Sequence, residues 1–404
     1  MPRVVIAPDK FKGSLSAATV ATCLAVGVLA GCPGADVVTV PVADGGDGTV
    51  DAAVAAGFDR VRLRATGPTG VPVTTSWARR GDDAVVELAD VSGLGRLPDG
   101  RAAPLSSTSR GTGEVIVAAL DAGCRRIVVG VGGSAGTDGG AGLLRALGAR
   151  TLDADGREVA EGGAALARVT TLDLSGLHRR VRQVELVVAC DVDNPLTGPH
   201  GAAAVYGPQK GADPVDVVRL DAALGHWADV VASATGADLR DVPGAGAAGG
   251  VGFALTAVLG AAARPGAELV FELTGLLDLL TGADLVITGE GSLDEQTLRG
   301  KAPAAVAAAA RAAGVPVVAV AGRCLVDPQT WAAAGFADVL TTTDEAGSVE
   351  ASLAAPGPAL EAIGRRLSQS LGRASRMRSP GSAARHTVGH EGTTKESPAW
   401  LSTP

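Results

Sequence analysis

The sequence predicts an α/β protein of two domains, one a Rossmann- or flavodoxin-like parallel sheet and the other a mixed α/β unit. Three observations carry this. Short β-branched apolar runs recur along the chain, Ala- and Leu-rich helical stretches separate many of them, and one segment, 61–88, breaks the alternation. Near-continuous apolar runs are what parallel strands covered on both faces by helices require. Strand, turn, helix, strand is the grammar of α/β folds.

The runs fall at residues 4–7, 37–42, 127–131, 186–189, 285–288, 315–320 and 339–342. A helix is expected over 15–30, with Ser14 as N-cap and a stop at Gly31, and further helices after Gly48, Thr112, Gly140 and Pro303. Within 61–88 the runs Val-Arg-Leu-Arg, Pro-Val-Thr-Thr-Ser-Trp and Ala-Val-Val-Glu-Leu have turn signals between them and no helix, which reads as an antiparallel meander. A second domain therefore begins near residue 61. Read as an insertion, it leaves a discontinuous first domain of 1–60 and 281–367 around a second domain of 61–280. Residues 368–404, rich in Ser, Arg, Gly, Thr and Pro without apolar periodicity, predict a disordered basic tail.

Composition narrows the function. Hydrophobic residues make up 46 % of the 404 but aromatics only 2 %, so the core is built from Ala, Val and Leu with close backbone packing. Forty-three acidic against 35 basic residues give a net charge of −8, which excludes a nucleic-acid binder resting on a basic face. No apolar run nears the ~18 residues that cross a bilayer, and the start of the chain lacks the apolar stretch of a secretory signal. No membrane partner is expected, and the cytoplasm is the default location. The five cysteines form no CxxC pair and the five histidines no HExxH, so neither a disulfide framework nor a zinc site is encoded. A small-molecule partner is left, and a homo-oligomer is compatible with all of this.

The residues just past the apolar runs are the informative ones. Pro8-Asp9-Lys10-Phe11-Lys12-Gly13-Ser14, Asp44-Gly45-Gly46-Asp47-Gly48-Thr49, Gly132-Gly133-Ser134 through Asp138-Gly139-Gly140, Cys190-Asp191-Val192-Asp193 and Gly289-Glu290-Gly291-Ser292-Leu293-Asp294 each place acid, glycine or hydroxyl after a strand. In an open parallel sheet the carboxyl ends of the strands share one edge, and ligands bind there. Gly-rich turns entering helix N-termini offer backbone N–H groups to an anion. Carboxylates beside them repel a bare phosphate but suit one that arrives with Mg²⁺, which prefers one or two carboxylates plus phosphate oxygens. A nucleoside triphosphate such as ATP satisfies both. The plainer reading of any single loop is that glycine makes the turn.

Lysine usage adds to this. Only five lysines stand against thirty arginines, and Lys10, Lys12, Lys210 and Lys301 all lie next to glycine-containing turns, with Lys395 alone in the tail. An ammonium on a flexible stem is a good phosphate-neutralising group. Two GxGxxG-type matches, at 130–135 and 244–249, fall at the roughly one expected by chance in so glycine-rich a chain, and no GxxxxGK[ST] loop exists. Ser292 and Glu295 have capping-box spacing, and the hydroxyl-rich stretch 106–114 either caps a helix or binds substrate.

Taken together and in order, the blocks 7–17, 42–49, 109–114, 132–135, 138–142, 190–196, 207–212, 243–250 and 286–291 resemble the type-1 glycerate kinase family over roughly residues 3–365. The resemblance implies ATP-dependent phosphorylation of glycerate, in bacterial members usually (R)-glycerate at its 2-hydroxyl, on a fold of two α/β domains with the site in the cleft between them. The chain departs from the family pattern at Lys10, commonly serine, at Asp47, commonly glutamate, at Gly136-Thr137, commonly Thr-Asn, and at Ser292, commonly arginine.

Loop position together with this resemblance gives the expected roles. Gly132, Gly133, Ser134, Asp138, Gly139 and Gly140, with Lys210 and Lys301, are expected at the nucleotide phosphates. Asp191 with Glu290 or Asp294 is expected on Mg²⁺. Lys12 would neutralise charge at the γ-phosphate or the glycerate carboxylate, and Asp44 or Asp191 would accept the hydroxyl proton. Lys10, Ser14, Asp47, Ser109 and Arg110 are expected at the substrate. The alternatives are phosphorylation at the 3-hydroxyl, a nicotinamide-dependent dehydrogenase using the 130–135 match, and a nucleotide-binding protein without turnover.

Overall fold

The structure, a computed structural model, describes residues 1–298 and 300–378. Among these, thirteen strands form: β1 (Arg3–Pro8), β2 (Asp36–Thr39), β3 (Asp59–Thr66), β4 (Pro72–Arg80), β5 (Asp83–Glu87), β6 (Arg126–Gly130), β7 (Arg150–Leu152), β8 (Thr171–Asp173), β9 (Glu185–Ala189), β10 (Ala262–Arg264), β11 (Leu285–Leu293), β12 (Val317–Cys324) and β13 (Asp338–Thr341). The contacts divide the chain into two units, Met1–Val42 with the residues from Thr274 onward, and Ala43–Leu273. The sequence boundaries near 61 and 281 sit further along the chain than these. The helix Thr49–Ala55 accounts for the first difference, since Val50 and Ala53 join Phe58, Ala78, Val85 and Leu273 in one apolar cluster of the second unit.

In the first unit the order β13-β12-β11-β1-β2 makes a five-stranded, wholly parallel sheet. Val4, Ile6, Leu285, Ile287, Val318 and Val320 bury one face of it under Leu24 and Val28 of the helix Ala17–Gly31 and Leu360 and Ile363 of the helix Pro356–Arg378. The first helix starts later than the sequence suggests. Ser16, not Ser14, is its N-cap, accepting from the Thr19 amide at 3.2 Å.

Two further expectations are corrected here. β11 does not turn after Thr288. It runs on to Leu293, because β12 continues beside it and pairs Ser292 with Arg323 and Leu293 with Cys324. The next helix, Glu295–Leu298, is capped by Asp294, whose Oδ1 accepts from the amides of Gln296 and Thr297, and not by a Ser292–Glu295 box. The tail expected from residue 368 is helical to Arg378, with Ser368 and Leu371 buried at the helix spacing of Leu360, Ile363 and Leu367. The rest of that expected tail, 379–404, lies outside the described residues.

The second unit holds a six-stranded sheet in the order β10-β9-β6-β5-β4-β3. The meander expected over 61–88 is its antiparallel edge, with Val61 opposite Trp77 and Ala78 opposite Val85. The other neighbours are parallel, and their registers align Glu87 with Gly130, Gly130 with Ala189, and Ala189 with Arg264. The segments that come after β5, β6, β9 and β10 therefore leave from one edge. The core beneath is aliphatic, as composition requires, with Trp227 and Phe253 as its large members among Val129, Leu143, Leu144 and Val188. The small hairpin of β7 and β8 and the short β10 had no counterpart in the expected runs.

Candidate functional site

The shared edge of the second unit carries a pocket of about 200 Å³ lined by Asp44, Gly45, Gly46, Val131, Gly132, Gly133, Ser134, Ala189, Cys190, Asp191, Val192, Tyr206, Gln209, Lys210, Ala247 and Ala248. Glycine makes its convergence feasible. A Cβ on Gly132 would stand 2.6 Å from the Gly46 Cα, and one on Gly45, which holds φ +83, would stand 2.8 Å from the Gly266 Cα and 2.9 Å from the Ala189 Cβ. The Asp44–Gly48 loop thus lies directly on the ends of β6, β9 and β10. At ~300–1,000 Å³ for pockets that bury drug-sized ligands, a space this size takes a small acid or one end of a nucleotide.

Two carboxylates and one ammonium give the pocket its charge. Asp191 Oδ1 accepts from the Gly266 amide at 2.8 Å. Part of its surface stays open to solvent, yet the protein packed around it pushes its carboxyl up to about 6, and the charges of Asp44 and Glu268 add to the push. Asp44 Oδ1 accepts from the Gly46 amide at 3.1 Å, which fixes the loop's first turn. Lys210 ends the 3₁₀ turn Pro208–Lys210 at 2 % exposure, and its Nζ donates to the Gly136 carbonyl at 2.5 Å. Burial pulls that ammonium down to about 7, against the opposing charge of Asp138.

Of the expected site residues, Asp44, Gly132, Gly133, Ser134, Asp191 and Lys210 meet in this pocket. Asp138, Gly139 and Gly140 stand behind it. Asp138 is 1 % exposed, with Oδ2 accepting from the Ser109 amide and hydroxyl and the Gly142 amide, and Oδ1 from the Gly140 amide. Gly139 is held by the Trp227 indole N–H and the Gly249 carbonyl. These groups tie the 134–142 segment down from inside, and Ser109 is committed to them. Arg110 lies outside the lining, paired with Glu114 and Glu161, and Asp47 is exposed on its loop.

The remaining expected residues belong to the other unit. Ser14 Oγ donates to the Phe11 carbonyl at 3.1 Å and the Lys10 amide to Asp9 Oδ1 at 2.6 Å in a tight turn where Lys12 is exposed. Glu290 sits within β11. Lys301 is the N-cap residue of the helix Ala302–Ala312. Against the cost of its burial, the Thr297 amide and the charge of Lys301 hold Asp294 below the ordinary carboxylate value.

Sequence reasoning gave no site role to Tyr206, Gln209, Ala247 and Ala248, which line the pocket, nor any role to Glu87, which stands outside the lining. Glu87 is 5 % exposed at the end of β5, and its Oε2 accepts from the Val50 amide at 3.0 Å. It thereby serves the helix Thr49–Ala55, whose N-cap, Gly48, has no side chain of its own to do so. The available signal was a carboxylate inside an otherwise apolar run. The 130–135 glycine match is not a dinucleotide turn, since no helix begins until Ala141.

Among the described residues no three His, Cys, Asp or Glu side chains cluster as a metal cage. The pocket's own donors still fit Mg²⁺. They are hard carboxylate oxygens, and the like charges of Asp44 and Asp191 act on each other there.

Comparison with known proteins accords with this geometry. The model of the glycerate kinase family matches residues 4–372. The chain is similar to the glycerate kinase of Bacillus subtilis, 50 % identical over 79 % of this chain and 85 % of that one. It is 47 % identical to the glycerate 2-kinase of Escherichia coli over 79 % and 85 % of the two chains. A solved structure assigned as glycerate kinase 2 of Salmonella typhimurium LT2 superposes with a TM-score of 0.82 at 42 % identity, covering 93 % of this chain and 99 % of that one. With the family model spanning nearly all the described residues, this chain belongs to the glycerate kinase family.

Proposed function

We propose that this protein transfers the γ-phosphoryl group of ATP to the 2-hydroxyl of (R)-glycerate, with Mg²⁺ as cofactor. The observation that carries the reading is the joining, in one small pocket, of the Gly132-Gly133-Ser134 turn with the carboxylates of Asp44 and Asp191. Phosphoryl transfer asks for little else than positioning, charge neutralisation and a base near the attacking oxygen. The name of the Escherichia coli relative favours the 2-hydroxyl over the 3-hydroxyl.

The two carboxylates divide two tasks. Asp191 is assigned the hydroxyl proton, because burial brings it to about 6, close to the pH at which it would work. Its Oδ1 is held by the Gly266 amide, which leaves Oδ2 to face the acceptor. Asp44 is assigned to Mg²⁺ together with phosphate oxygens, and this replaces the expected metal set of Asp191, Glu290 and Asp294. Asp294 is the least suited of those three, its Oδ1 being committed to a helix cap. Mg²⁺ held at Asp44 would supply positive charge to offset the charge that develops on the phosphate oxygens. The amides of the Gly132–Ser134 turn orient the transferred group.

Product identity tests it. Protein, ATP, Mg²⁺ and (R)-glycerate are coupled to enolase alone, which consumes 2-phosphoglycerate, and phosphoglycerate mutase is then added. Signal before the mutase is the expected result. Signal only after it means transfer to the 3-hydroxyl, and ADP release without either product refutes the acceptor.

A further inference from the structure

Among the described residues that line the pocket, Lys210 is the only cation. It is also nearly inaccessible, at 2 % exposure, where a lysine side chain is seldom found without a partner. The protein gives its ammonium one acceptor, the Gly136 carbonyl. Asp138, the carboxylate whose charge acts on it, has both oxygens engaged by Ser109, Gly140 and Gly142, and no ion pair joins it to Lys210. An ammonium carries three N–H donors, so two are left for something the chain does not supply. Room is reserved for it as well. A Cβ on Gly249 would stand 2.9 Å from Nζ, and the neighbouring Ala248 holds φ 52, a conformation costly for any residue with a side chain.

We propose that the two remaining N–H groups of Lys210 receive the carboxylate of the acceptor acid, and that this contact selects an acid over a neutral polyol or amide. The inference rests on the kinase reading above and replaces the expectation that Lys210 serves the nucleotide phosphates. A single buried ammonium matches one carboxylate charge. The phosphate oxygens are assigned to the Gly132–Ser134 turn and, with Mg²⁺, to Asp44, whereas a three-carbon acid whose 2-hydroxyl meets Asp191 has its carboxylate left for a cation in the same 200 Å³. Burial that pulls the ammonium down to about 7 points the same way, because a bound anion restores the charged form.

The test compares (R)-glycerate, its amide and glycerol as acceptors for the full-length wild type and for Lys210→Met. For the wild type, kcat/KM is expected to favour glycerate over its amide by at least about tenfold, the lower bound for a charge-assisted hydrogen bond in a dry site. In Lys210→Met the KM for glycerate rises roughly 10- to 100-fold, the KM for ATP stays within about twofold, and the preference for acid over amide collapses. A structural role alone would not move that ratio. A wild type that does not distinguish acid from amide overturns the proposal even if the variant fails to fold. A variant that loses affinity for ATP and keeps the ratio overturns it too. A wild type inactive on all three acceptors overturns the kinase reading itself, so the two failures are distinct.

Discussion

The Glu87 carboxylate shows what a single buried acid does for a loop it does not belong to. Burial pushes it up to about 7, the nearby charges of Asp47 and Asp90 add to this, and the amides of Val50 and Gly48 oppose it. A carboxyl whose folded value lies above its ordinary 4.5 holds its proton longer in the folded state than in the unfolded chain. Its stabilising contribution is therefore complete below about 4.5 and is lost as pH rises through about 7, an effect on the order of 3 kcal/mol. Glu87→Gln, which keeps an acceptor for the Val50 amide, is expected to flatten this part of the stability–pH curve and to be the more stable protein at pH 8. Urea denaturation of both proteins between pH 4.5 and 8 measures it, and parallel curves would show that Glu87 does not titrate there. At this scale Asp191 and Gly132–Ser134 were legible in the sequence because their place after β9 and β6 determines which edge they occupy, whereas Asp44 follows β2 of the other sheet and reaches that edge through its glycine turn. Asp138 and Ser109 were misplaced for a reason that is equally physical. An acid and a hydroxyl beside glycine look the same whether they face a ligand or, as here, satisfy their own backbone.

Among the elements, the helices Ala17–Gly31 and Pro356–Arg378 approach so closely that a Cβ on Gly27 would overlap the Glu361 carbonyl oxygen. Gly27→Val is expected to force the pair apart and to cost about 3 kcal/mol, at the upper end of overpacking in a well-filled core. Chemical denaturation reads the loss, and an unchanged midpoint would show that the helices give way freely. The strands were legible to within a few residues wherever branched side chains ran together, as at β1, β6 and β9. The extension of β11 was not, because Gly289, Glu290 and Gly291 have the composition of a turn and only the length of β12 makes them strand. The helix past residue 368 was hidden likewise. Its sequence is polar and basic, but Leu367 and Leu371 continue a buried face that begins at Leu360.

For the whole molecule, a chain of low aromatic content builds two α/β units from aliphatic side chains and glycine-mediated backbone contact, the first unit begun by residues 1–42 and resumed at 274. Interruption of one unit by the other was readable from the meander that breaks the strand–helix alternation. Its limits were not, since the helix Thr49–Ala55 is decided by the cluster it packs into and not by its own sequence. The fold class came from periodicity, and the family from nine collinear blocks, which is more than any one glycine motif could give. The central claim is that the pocket built on β6, β9 and the Asp44–Gly48 loop performs the transfer, with Asp191 taking the proton. Its most direct measurement tracks ³¹P resonances in mixtures of ATP, Mg²⁺ and (R)-glycerate with the wild type and with Asp191→Asn. The account predicts ADP and 2-phosphoglycerate from the wild type, and a rate lowered by about 10² or more in a variant that melts at nearly the same temperature. Turnover by Asp191→Asn at the wild-type rate would contradict it.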